Sequence, residues 1–187
     1  MSLRALQFFF FATAVSFFFA VPLHGTLSNG QRYPLSFVDV DGHMLSTADG
    51  HITVLVLATT RDSNKARSVG DRVPDYCLGN SRYRMITILR FTNNRTGIGR
   101  KIATMLVRQR LNAEAKRLQS RYNAKKIASN ARSDIFAVAD FDGTASSRLG
   151  GQPEATDFHV FVFGRNGKLL RQWNEVPSAK DLAAVVK

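Results

Sequence analysis

Eight consecutive residues, Ile52–Thr59, read ITVLVLAT, without a charge or a break. A strand that is apolar on both sides needs cover on both faces, so it belongs inside a parallel or mixed sheet. Two further runs repeat the pattern: MITILRF within Tyr83–Phe91, and Ile135–Ala139. Helical candidates separate them, Lys65–Val73 ahead of Pro74 and Arg100–Asn130. Upstream, Tyr33–Val40 alternates and ends in the turn Asp39-Val40-Asp41-Gly42, and Asp49-Gly50 marks a second turn. Downstream, Phe158–Phe163 and Lys168–Trp173 flank Gly164-Arg165-Asn166-Gly167 as a hairpin, and Ser178 caps a last helix, Ala179–Val186. Thr92–Gly99 and Arg148–Asp157 read as loops. Strands alternating with helices, closed by a hairpin and a helix, predict an α/β layer fold with a central mixed sheet flanked by helices.

The 187 residues suit one domain preceded by an address. After Arg4, Ala5–Leu23 carries no charge and holds seven of the fourteen phenylalanines. Residues 1–25 therefore read as an export signal or an N-terminal membrane anchor, and 26–187 as the domain. No clean small-x-small site lies near Ala20–Gly25, so both readings stay open. Either one places the domain outside the cytoplasm, periplasmic or secreted. The chain has one cysteine, Cys77, which excludes an intrachain disulfide, a CxxC pair and a cysteine-rich zinc site.

The formal net charge of +12 is concentrated. Between Arg95 and Arg132 eleven basic residues face one acid, Glu114. Apolar side chains at Leu111, Ala115, Leu118 and Tyr122, extended by Ile102 and Leu106, predict the buried stripe of the long helix. The basic residues Arg100, Lys101, Arg108, Arg110, Lys116, Arg117, Arg121, Lys125 and Lys126 fill most other positions. They form a solvated face or a patch attracted to an anionic membrane or envelope surface. Nucleic acid is disfavoured, because aromatics do not interleave with the charge and the compartment is wrong.

Three phrases carry a resemblance: FVDVDGHMLSTADGHITVLVLATT, FHVFVFGRNGKLLRQW and SAKDLAAVV. In that order, over Leu35 to Val186, they resemble the thioredoxin-like superfamily, in its exported redoxin and peroxiredoxin-like branch. The resemblance implies a reactive cysteine at the helix start after the first central strand, where N–H groups and the helix dipole favour a thiolate. Here that loop reads Thr59-Thr60-Arg61-Asp62-Ser63-Asn64-Lys65. Ser63 stands where a Thr-x-x-Cys would place sulfur, and Arg61 and Asn64 stand where a CxxC would. The family's cis-proline position falls near Asp157 or Phe158, and Pro153 lies upstream of it.

The resemblance therefore implies an exported, non-redox binding or accessory protein. Its site would use Thr59, Thr60, Arg61, Asp62, Ser63, Asn64 and His159 to take an unidentified protein or an anionic ligand. Neither a cofactor nor a metal is expected: His24, His43, His51 and His159 are scattered. The catalytic candidates are Cys77, Ser63 and Thr60. Cys77 reads either as a small buried residue or as a lone thiol, and the latter would make a thiol-disulfide oxidoreductase or peroxiredoxin-like enzyme. A second alternative is a phosphatase using Asp140-Phe141-Asp142-Gly143-Thr144 with Mg²⁺. Against it, only 43 residues follow Thr144, too few for the Rossmann-like segment such enzymes carry.

Overall fold

The structure is a computed structural model that describes residues 27–91, 96–150 and 158–187. The N-terminal address, Pro153 and Asp157 lie outside the described residues. The elements are β1 (Ser36–Val38), β2 (Met44–Ser46), β3 (Ile52–Thr59), α1 (Ser63–Arg72), β4 (Tyr83–Arg90), α2 (Gly97–Ala124), β5 (Ile135–Asp140), α3 (Thr144–Arg148), β6 (His159–Phe163), β7 (Leu169–Trp173) and α4 (Ala179–Val185). Single 3₁₀ turns cover Thr60–Asp62, Asp75–Cys77 and Ala131–Ser133.

Five strands form one sheet in the order β5-β4-β3-β6-β7. β3, β4 and β5 run parallel, while β6 and β7 are antiparallel additions. Every residue of the central β3 is buried, as its composition requires. Successive side chains alternate between the two faces. Leu55, Leu57, Ile86, Ile88, Phe161 and Phe163 pack against Phe37 and Leu45 of the β1–β2 hairpin. Val54, Val56, Val160 and Val162 pack against Ala66 and Val69 of α1 and Leu182 of α4. The crossovers β3-α1-β4 and β4-α2-β5 step the same way along the sheet. Right-handedness therefore sends α1 and α2 to the same face.

The structure corrects four local expectations. Helix α1 starts at Ser63, two residues early, because the 3₁₀ turn feeds straight into it. Helix α2 starts at Gly97 and ends at Ala124, not Asn130; Lys126 then takes a positive φ of 57° that no helix continues. α3 forms at Thr144–Arg148, where the sequence pattern marks no helix. The buried stripe of α2 is Ala103, Val107, Leu111, Ala115 and Tyr122. Ile102 and Leu106 lie on the opposite side, 50% and 49% exposed, beside Ile98 and Met105. The first turns of α2 are apolar on two faces, and only the sheet decides which face is covered.

Candidate functional site

Strand β3 leads into the loop Thr59–Lys65, where the sequence resemblance expects sulfur. Thr59 Oγ1 accepts from the Arg61 N–H at 3.3 Å. Asp62 Oδ2 accepts from the Thr59 N–H at 3.2 Å and from the Thr59 hydroxyl at 2.6 Å. These reciprocal bonds form a capping box. Lys65 Nζ stands 3.4 Å from Asp62 Oδ1. Burial opposes ionisation of Asp62, but the bonds from Thr59 and the Lys65 charge outweigh it and hold the carboxyl below its ordinary value. Asp62 is thus a fixed negative charge at the end of α1 that favours anions, and it repels a second one.

Thr60, Arg61, Ser63 and Asn64 are exposed on this edge, and Thr59 is buried beneath them. The Lys65 ammonium lies 5.5 Å from the centre of the Phe158 ring. His159 does not join them. It pairs with Leu57 and stacks at 5.8 Å on Phe161, so its ring lies on the sheet face away from α1. Its Nδ1 is 3.1 Å from Asn174 Oδ1.

Cys77 closes the 3₁₀ turn between the end of α1 and the start of β4. The whole of α1 separates it from Ser63, about 15 Å of helix rise. It is 6% exposed. Burial alone pushes its thiol up to about 12. A buried, protonated sulfur is a poor nucleophile at neutral pH. Iodoacetamide should leave Cys77 unmodified in the native chain at pH 8 and alkylate it in urea. In Ser63→Cys the native chain should take up one label at the α1 start. Native labelling of Cys77 would contradict this placement.

The Asp140 and Asp142 pair has structural work, which corrects the phosphatase reading. Asp140 is 3% exposed and accepts from the Ala145 and Ser146 N–H groups at 3.2 and 2.9 Å. Asp142 accepts from the Thr144 N–H at 3.0 Å. Both cap the start of α3, and with both oxygens held by backbone N–H groups Asp140 is engaged as a cap rather than presented as a nucleophile. Asp39, Asp41 and His43 bring ligand atoms within 4.8 Å of one another. Asp39 accepts from the Asp41 and His43 N–H groups at 2.9 and 2.8 Å, and Asp41 meets Arg108 and Arg132. These bonds hold the β1–β2 turn.

Five of the nine basic residues named for the long helix are engaged by neighbouring groups. Arg108 bonds Asp41 and the Val40 carbonyl. Arg117 bridges Asp71 at 2.7 Å and Glu114 at 3.0 Å. Arg121 and Lys125 share Asp75 at 2.6 and 2.5 Å. The Arg100 guanidinium lies 5.6 Å from the Phe141 ring centre. Among the described residues, Lys101, Arg110, Lys116 and Lys126 make no ion pair. Part of the charge of the long helix ties it to neighbouring elements.

No protein-family model and no curated protein sequence matches the chain. Solved structures do match. A DsbF homologue from Corynebacterium diphtheriae aligns over 86% of this chain and 89% of its own, at 16% identity and a TM-score of 0.50. A secreted thiol-disulfide isomerase from Corynebacterium glutamicum aligns over 83% of both chains, at 10% identity and 0.50. A protein described as a thioredoxin from Neisseria meningitidis covers 84% of this chain and 87% of its own, at 13% identity and 0.50. The fold is thioredoxin-like, and the single cysteine leaves it without the paired sulfurs of a CxxC site.

Proposed function

We propose that this thioredoxin-like chain is an extracytoplasmic binding or accessory protein that performs no thiol chemistry. One observation carries the reading: the loop after β3 presents hydroxyl, amide and guanidinium groups where the chemistry needs sulfur, and Cys77 is buried at the other end of α1. The uncharged N-terminal segment supports export, and one structural neighbour is described as secreted. The exposed Thr60, Arg61, Ser63 and Asn64 suit a protein or peptide surface. Asp62 disfavours a small free anion there.

Disulfide reduction and peroxide consumption should run at background rates for the wild type and Cys77→Ser alike. A photo-crosslinker at Ser63 should capture a partner that unlabelled wild type displaces and Asn64→Trp does not. Turnover that depends on Cys77 would overthrow this reading and restore the oxidoreductase.

A further inference from the structure

The inner strand β4 is closed on one face and only partly covered on the other. Arg84, Ile86, Ile88 and Arg90 are buried, while Tyr83, Met85, Thr87 and Leu89 on the helix side are half-buried. Its neighbour β3 is closed on both faces, and a strand flanked on both sides is ordinarily covered likewise. The cause is the spacing of the helices. α1 seats Ala66 and Val69 over β3, and α2 seats Val107 and Leu111 against Ala137 of β5. Between the helices, above Met85, Thr87 and Leu89, lies a cavity of about 320 Å³.

The walls are mostly carbon, and the mouth is ionic. Arg67 Nε donates to Glu114 Oε1 at 2.8 Å, and Arg117 reaches Glu114 and Asp71 from α2. Arg67–Glu114 and Arg117–Asp71 cross the gap and are about half exposed, so each is weak and easily exchanged for another acid. Arg110, one turn before Glu114, lines the same cavity, is exposed and makes no ion pair among the described residues. A volume of this order falls in the range of small-molecule pockets, and an apolar cavity gains by holding an apolar occupant rather than water.

We propose that the cleft between α1 and α2 binds a single-chain acidic amphiphile, its alkyl chain over Met85, Thr87 and Leu89 and its carboxylate on Arg110. The planar guanidinium matches a carboxylate with two parallel N–H donors. The mouth carries Arg67, Arg110 and Arg117 against Glu114 and Asp71, which leaves one positive charge over and favours an acid over its neutral analogue. The cleft meets the loop edge of the proposed function at Ser63, which lines it, but its floor on β4 and Arg110 lie beyond that edge, so fatty-acid displacement and partner capture read different contacts.

The test is displacement of a dansylated fatty-acid probe from the full chain by lauric acid and by lauryl alcohol, both below their micelle-forming concentrations. Lauric acid should bind one per chain, and the alcohol about tenfold more weakly. Arg110→Glu should weaken the acid by about tenfold and leave the alcohol unchanged. Thr87→Trp, which fills the floor, should abolish both. Methyl NMR of the wild type needs no variant to fold. Lauric acid should shift the Met85 resonance and leave the exposed Met44 and Met105 in place. The proposal fails if neither compound binds, if acid and alcohol bind equally, if a folded Thr87→Trp binds as wild type, or if Met105 moves and Met85 does not.

Discussion

Tyr122→Ala should cost about 4 kcal/mol of stability, at the level of the largest core truncations. For a domain of this length that is a fall in Tm of roughly 10 °C, read by thermal or urea unfolding. Tyr122 is 1% exposed and packs with Leu78 and Ala131. Its hydroxyl donates to Asp134 Oδ2 at 2.5 Å and accepts from the Gly79 N–H at 2.9 Å. The pocket cannot collapse onto the vacated space easily, because Gly79 is already tight: a Cβ there would meet Ile127 Cγ2 at 2.5 Å, and its φ is +65°.

Tyr122→Phe isolates the hydroxyl and should cost about 1–3 kcal/mol, since Asp134 loses that donor and keeps the Gly79 N–H at 3.2 Å. The pH dependence separates the two variants from wild type. Burial first, then the bond to Asp134, raises the Tyr122 hydroxyl above its ordinary value of 10.0. A group with a raised folded value stabilises fully below its unfolded value and loses that contribution as pH climbs beyond it. The wild type should therefore lose stability more steeply above about pH 10 than Tyr122→Phe does. Equal slopes in urea melts across that range would refute the assignment.

Arg84→Ala should cost about 1.5–3 kcal/mol, the scale of losing hydrogen bonds to a charged group, because Arg84 is buried while Asp49 stays open to solvent. Arg84 is 8% exposed. Its Nη1 and Nη2 take the two oxygens of Asp49 at 2.8 and 2.9 Å, Nε donates to Thr53 Oγ1 at 3.1 Å, and Nη2 also reaches the Ser46 carbonyl. One side chain thus pins the end of the β1–β2 hairpin to the sheet. Arg84→Lys should recover only part of the loss, because a point charge cannot form the fork. Burial opposes the Asp49 charge, but bonds from His51 and Arg84 win and hold its carboxyl below 3.8. Such a group stabilises above its unfolded value and ceases to as pH falls through the lower folded one. Acid unfolding of Arg84→Ala should accordingly show a flatter limb below about pH 4 than wild type, and an unchanged limb would count against the network.

Much of the sheet was legible because its strands are defined by their immediate neighbours in the chain. Ile52–Thr59 has no polar side to offer solvent, and the strand has those bounds. Ser178 accepts from the Asp181 N–H at 3.1 Å and caps α4, as its place before an apolar run suggests. Leu111, Ala115 and Tyr122 of the expected α2 stripe are buried, but its extension through Ile102 and Leu106 is off by one position, since periodicity cannot choose between two apolar faces. The site was legible as a loop but not as a group. Its chain order places Thr59–Lys65 together, whereas His159 follows the two-residue alternation of β6 to the other face. Nothing local marked Arg84 as buried: an arginine within an apolar run gives no sign of Asp49 waiting opposite.

What the chain alone determined is the succession of strands and helices, the absence of paired sulfurs, and the charge carried between positions 95 and 132. Each follows from composition or from residues a few places apart. Only the tertiary structure decided that Cys77 is buried, that Asp140 caps a helix, that the basic helix spends part of its charge on clamps, and that β4 keeps one face only partly covered. Those outcomes rest on partners far apart in sequence, such as Arg67 and Glu114, 47 positions distant. Such pairs meet only because two right-handed crossovers set α1 and α2 side by side over the sheet.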